Sequence, residues 1–175
     1  QPLLRSNTYV RILLTPHGPQ NMGVQAVGQE TSPGLPGAVF SPDGTRYVRN
    51  NMLGFSHDED YLDIYNFDRC TGMLSNQVRF AYGVDQSSGG GVAISPNNRY
   101  LYVPHSRYEY QYDLTSEDIP STKDTVAIYD FYTDSFGNPV KFYRIQLAPD
   151  GRMYLNSAPG SSEHHIINQP DYGGA

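Results

Sequence analysis

One cysteine, Cys70, stands in 175 residues. A lone thiol excludes an internal disulfide and a thiolate zinc cluster. It leaves two settings for Cys70: a bond to something outside the chain, or a small buried residue. Long apolar runs are missing too, and no segment nears the ~18 residues that a membrane-crossing helix needs. Basic clusters are missing as well. The 12 Lys and Arg are scattered and the net charge is -6. Phosphate backbones are held by clustered cations, so this distribution argues against nucleic-acid binding. No amphipathic helix stands out, and Pro120 limits TSEDIPSTKD (115–124) to a turn. Catalytic signatures are equally scarce. There is no G-x-S-x-G elbow, and SSGGG (87–91) lacks the lysine and the helix of a phosphate loop. The chain opens at Gln1 without a signal peptide, which predicts a processed protein or an excised fragment.

What is abundant points to strands and turns. Aromatic residues make up 13% of the chain, and it holds 15 Tyr, 17 Gly and 13 Pro. That is too aromatic for a disordered polar chain and long enough for one domain with a core. Three stretches share one shape: GAVFSPDGTRYVRN from Gly37, GGGVAISPNNRYLYVP from Gly89 and RIQLAPDGRMYLNS from Arg144. Their corner prolines, Pro42, Pro96 and Pro149, are 54 and 53 residues apart. Each corner sits between two short apolar strands. Proline presets φ, Asp or Asn bonds its own backbone, and Gly44 or Gly151 takes a positive φ. Asn98 takes the glycine role in the second corner, because Asn tolerates the left-handed region. The corners therefore predict three equivalent hairpins.

Further strands follow in each unit. YLDIYNFD (61–68) sets Leu62, Ile64 and Asn66 against Asp63, Tyr65 and Phe67. YEYQYDL (108–114) sets Tyr108, Tyr110 and Tyr112 against Glu109, Gln111 and Asp113. NQVRFAY (76–82) and DTVAIYDFY (124–132) supply fourth strands. Four antiparallel strands per repeat of roughly 50 residues is the pattern of β-propeller blades. The fold class read from the sequence is thus all-β, a propeller sector of about three four-stranded antiparallel blades. Residues 1–175 form a single segment: 9–15 an isolated last strand of a preceding blade, 37–82 one blade, 89–132 another, and 142–172 a partial blade. The glycines Gly89, Gly90 and Gly91 lead the innermost strand, where crowding at the axis selects small residues. A closed propeller needs about four to eight blades, so the sequence predicts a piece of something larger, with flanks covered by further blades or neighbouring subunits.

The ordered runs LLTPHGP, FSPDGTRYV, DIYNFDRCTGMLSN, GGGVAISPNNRYLYV, YQYDLTSEDIPSTKDTVAIYDFY, FYRIQLAPDGRMYLNS and HHIINQPD resemble large secreted propeller proteins of Bacteroidetes, which often carry a type IX secretion sorting domain. The resemblance runs from about Tyr9 to Tyr172. It implies an extracellular or cell-surface protein of a Gram-negative bacterium, and it implies no catalytic residues. DTV (124–126) resembles the O-glycosylation sequence of such surface proteins, which makes Thr125 a candidate acceptor.

Candidate ligand-binding residues come from the loops that gather at one face of a propeller. All five histidines fall there on this map: His17 in an inter-blade loop, and His57, His105, His164 and His165 in or at the end of loops joining second and third strands. The rim set is His57, Asp58, Asp60, His105, Arg107, Glu163 and His164. Imidazole and carboxylate at one mouth would suit a divalent metal such as zinc or calcium. A plain solvated rim without a cofactor is the competing reading. SHDEDYLD (56–63) lacks the EF-hand order of ligands.

The function read from the sequence is a non-catalytic binding or structural module, with a carbohydrate or protein ligand and no nucleic acid. One alternative is a lactonase-like, metal-dependent hydrolase, which needs acidic and Asn ligands on several innermost strands. Another is a subunit of an extracellular assembly or filament.

Overall fold

The computed structural model describes residues 3, 5–31, 37–51, 59–83, 90–157 and 161–174. Strands β1 (Thr8–Thr15) and β2 (Gly18–Ala26) form an antiparallel pair. A four-stranded sheet follows, built from β3 (Ala38–Phe40), β4 (Arg46–Asn51), β5 (Asp60–Asp68) and β6 (Met73–Gly83) in that order. The next sheet holds β7 (Ala93–Ile94), β8 (Tyr100–His105), β9 (Tyr108–Asp113) and β10 (Asp124–Ile128). The last holds β11 (Arg144–Leu147), β12 (Met153–Asn156) and β13 (His164–Ile167). All pairings are antiparallel between consecutive strands. No described helix is long and apolar enough to cross a membrane.

The core lies in the seams between neighbouring sheets, and the β7–β10 sheet contributes side chains to seams on both of its faces. Tyr9, Tyr47, Tyr65 and Leu74 fill the seam between the β1–β2 pair and the first four-stranded sheet. Val48, Leu62 and Ile64 meet Ile94, Leu101, Val103 and Tyr112 in the second seam. Ala93, Tyr100 and Tyr102 meet Ile145, Met153 and Leu155 in the third. Successive side chains of a strand point to opposite faces, so Leu101 enters one seam and Tyr102 the next. That is why all six residues of β8 are buried. These face-to-face meander sheets, with the innermost strands turned to one axis, are blades of an all-β propeller.

The glycines ahead of the innermost strands mark the axis. A Cβ added to Gly37 would stand 2.9 Å from the Cα of Gly91. A Cβ on Gly91 would stand 3.0 Å from the nitrogen of Ile145. Three successive innermost strands therefore approach backbone to backbone, which only a residue without a side chain permits.

The three corners share their turn chemistry but not their register. Gly44, Asn98 and Gly151 have φ of 68°, 64° and 79°, and each donates its N–H to the carbonyl of Ser41, Ser95 or Ala148. Asp43, Asn97 and Asp150 each accept the N–H two residues on. In the serine corners, Ser41 and Ser95 pair with Arg46 and Tyr100, and the serine Oγ accepts the N–H of that partner at 2.9 and 2.8 Å. Ala148 has no hydroxyl, and it pairs one residue sooner, with Arg152. The shift is one residue, so the side chains of β12 swap faces relative to those of β8. Met153 and Leu155 consequently look back toward the preceding sheet. The expectation of three equivalent hairpins is corrected here for the third.

Three further readings change. YVRILLT is not isolated, because it pairs along its length with GPQNMGVQA. Pro16 and His17 form the turn between them and Gly18 has φ 108°. The fourth strand expected over 124–132 ends at Ile128. Beyond it, Asp130 Oδ1 accepts the Tyr132 N–H and Phe131 turns to φ 68°, which breaks the ladder. Pro120–Thr122 forms a short 3-10 turn. Cys70 is exposed in the β5–β6 turn, not buried.

Candidate functional site

The strand ends opposite the corners bring two of the expected rim residues together. Asp60 opens β5 in one blade and His105 closes β8 in the next. Their Oδ2 and Nε2 atoms are 3.0 Å apart, and both side chains are 3% exposed. A carboxylate only accepts, so Nε2 carries the hydrogen of this bond. The imidazole lies edge-on to Tyr82 and stacked with Tyr110, at centroid distances of 5.4 and 5.9 Å. Gly83 leaves the space for it, since a Cβ there would stand 2.5 Å from the ring. Nδ1 has no hydrogen-bond partner among the described residues. His105 thus sits within the seam between two blades, not in a solvated loop.

The other described rim residues have contacts of their own. Arg107 follows the turn at Ser106 (φ 55°) and stacks over the Phe131 ring at 5.4 Å. Glu163 accepts the Tyr132 hydroxyl at 3.0 Å. His164 and His165 belong to strand β13 instead of a loop: His164 pairs with Asn156 and is exposed, and His165 Nε2 lies 3.0 Å from the carbonyl of Val140. His17 is exposed in the β1–β2 turn. His57 and Asp58 lie outside the described residues. Among the described residues, no group of three or more His, Cys, Asp or Glu is placed to hold a metal ion. Thr125 is exposed on β10, the outermost strand of its sheet, beside a register shift in the β9–β10 ladder.

The side chains of the innermost strands are mostly apolar. Ala38, Val39 and Phe40, then Val92, Ala93 and Ile94, then Ile145, Gln146 and Leu147 line one open cavity of about 470 Å³ together with Pro42. No carboxylate, imidazole or thiol lines this cavity.

Buried charge instead sits in the seams. Asp63 pairs across strands with Arg49 and Arg79, at 3.4 and 3.7 Å, and accepts Gln77 Nε2 at 2.8 Å. Burial pushes the Asp63 carboxyl above its usual range, and the two guanidinium groups and Gln77 work against that rise. Burial likewise raises the Tyr47 hydroxyl to about 12. Neither the Asp63 network nor the carboxyl of Glu109 was singled out from the sequence. The available signal was a charged residue inside a strand whose neighbours on both sides are core-forming.

No family model and no curated protein matches the chain. Solved structures do. A Bacteroides uniformis protein named as a "putative 6-phosphogluconolactonase" aligns at TM-score 0.54 and 13% identity, over 94% of this chain and 48% of that one. A protein from Lactobacillus plantarum aligns at TM-score 0.50 and 15% identity, over 93% and 48%. A Bacteroides fragilis protein of the same name as the first aligns at TM-score 0.48 and 18% identity, over 71% and 32%. The chain spans about half the length, or less, of these relatives. At such identities the similarity is one of fold, and the fold is a β-propeller.

Proposed function

We propose that this chain is a set of propeller blades acting as a non-catalytic binding or structural module of a secreted or cell-surface bacterial protein. The supporting observation is the channel wall. Propeller sites gather where innermost strands converge, and the described strands place mostly Val, Ala, Ile, Leu and Phe there, with Gln146. Gln146 is the polar side chain among these lining residues, and the wall has no carboxylate, imidazole or thiol to activate water or shuttle a proton. In this reading the partners are further blades or neighbouring subunits, and the ligand is a carbohydrate or a protein. The exposed apolar side chains of the β1–β2 pair, among them Ile12, Leu14 and Val24, support a covering partner. The surface location, the type IX route and glycosylation at Thr125 rest on the sequence resemblance.

The Bacteroides uniformis protein named as a "putative 6-phosphogluconolactonase" raises the hydrolase alternative. The test is to measure 6-phosphogluconolactone hydrolysis with and without added calcium or zinc, alongside glycan-array binding and light scattering of the purified chain. Saturable glycan or protein binding, or self-association, without turnover supports the proposal. Metal-dependent turnover lost on chelation would overturn it.

A further inference from the structure

A second cavity, of about 630 Å³, opens between the sheet of β7–β10 and that of β11–β13. Its size is that of a small-molecule site. Val126 and Tyr129 on one side and Phe142, Leu155 and Ile167 on the other contribute apolar wall. Glu109, in the middle of β9, also lines it.

Glu109 is 1% exposed, and neither carboxyl oxygen has a hydrogen-bond partner among the described residues. The sequence explains why. Its cross-strand neighbours are Pro104 on β8 and Ala127 on β10, and neither side chain has a donor; proline lacks a backbone N–H as well. Gln111, two residues on and on the same face, is already engaged: its Nε2 donates to the Tyr102 hydroxyl at 2.6 Å, and its Oε1 accepts the Gly174 N–H. The Tyr102 hydroxyl in turn donates to the carbonyl of Pro170. Among the other lining residues that titrate, His165 Nε2 faces the carbonyl of Val140, and Tyr129 donates its hydroxyl to the carbonyl of Tyr132. Asp130 adds a second acid to the lining, and no Lys or Arg lines the cavity. A buried carboxyl without a donor is costly to keep, and burial pushes its pKa well above the ordinary range.

We propose that this cavity binds a small molecule carrying an ammonium or guanidinium group on an apolar stem, with Glu109 as the counter-charge. A cation is the one ligand group that both supplies donors and balances the carboxylate, and the aromatic and aliphatic walls take the stem. This inference is independent of the function proposed above: it concerns a seam between blades, and the channel wall has no part in it.

Calorimetric titration with 2-phenylethylamine and with agmatine tests it, with 2-phenylethanol as the neutral control of similar shape. The amine should bind wild type at least ~10-fold more tightly than the alcohol, as expected for a charge-assisted hydrogen bond. In Glu109→Gln that preference should vanish while weak binding of both remains. In Asp130→Asn it should persist. Circular dichroism and thermal unfolding establish that each variant is folded. Equal affinities for amine and alcohol in wild type would overturn the proposal. So would the absence of saturable amine binding up to about 10 mM, or a preference that survives Glu109→Gln.

Discussion

His105 and Asp60 belong to different blades, yet their side chains meet at 3.0 Å with almost no access to solvent. The bond ties the end of one second strand to the start of the preceding blade's third strand. Losing a buried hydrogen bond to a charged group costs about 1.5–3 kcal/mol. Asp60→Asn and His105→Ala are each expected to lower stability by about that much. The double variant should lose less than the sum, with a coupling of about 1–3 kcal/mol. A urea-unfolding cycle measures it. Additive losses would show that the seam does not depend on this contact.

The axis glycines make a second prediction. Ordinarily Gly→Ala at a compatible position stabilises by about 0.4–1 kcal/mol, through the unfolded chain. Gly91→Ala should reverse that sign and cost about 1–3 kcal/mol, because its Cβ meets the backbone of Ile145 and Arg144. Gly37→Ala should cost more, since its Cβ meets both Asn50 Oδ1 at 2.7 Å and Gly91 Cα. A neutral or stabilising result at either site would show that the innermost strands do not approach this closely.

The corners can be told apart by one atom. Ser95 is fully buried and its Oγ accepts the Tyr100 N–H. Ser95→Ala should leave that donor unsatisfied and cost about 1–3 kcal/mol. Ala148→Ser should change stability by less than about 0.5 kcal/mol, because the shorter third hairpin already closes on the Arg152 carbonyl. Equal effects at both corners would contradict the register difference.

Glu109 sets a pH dependence. Burial raises its folded pKa above the unfolded value, so over that interval the native state holds more protons than the unfolded one. Stability from this group is complete below the unfolded pKa and is lost as pH rises through the folded pKa. Glu109→Gln should therefore match wild type near pH 4 and become the more stable protein as pH increases. Asp130, His165, Tyr102, Tyr129 and Tyr172 line the same cavity, so the comparison is made as a difference between the two proteins at each pH. A constant difference across pH 4–8 would assign the effect to packing, not to ionisation.

The sequence by itself determined the class of fold. Three Pro-Asp/Asn corners at near-constant spacing, each between apolar strands of period two, leave few ways to bury both faces other than stacked meander sheets. It also named the residues that turn the corners, including Asn98 in place of glycine, because φ preference is a property of the residue alone. Other features depended on neighbours. GPQNMGVQA carries Gly, Pro and Asn, which strands disfavour, and it becomes a strand because β1 offers it a ladder. The Ala148 hairpin differs from the serine hairpins by a hydroxyl whose hydrogen bond shows only once the chain has turned. The histidines looked alike as loop residues; tertiary packing buried His105 against Asp60 and left His164 exposed. A backbone preference is local and can be read from a string of residues. Burial, register and the pairing of a charge are set by atoms tens of residues away, and only the folded chain brings them within reach.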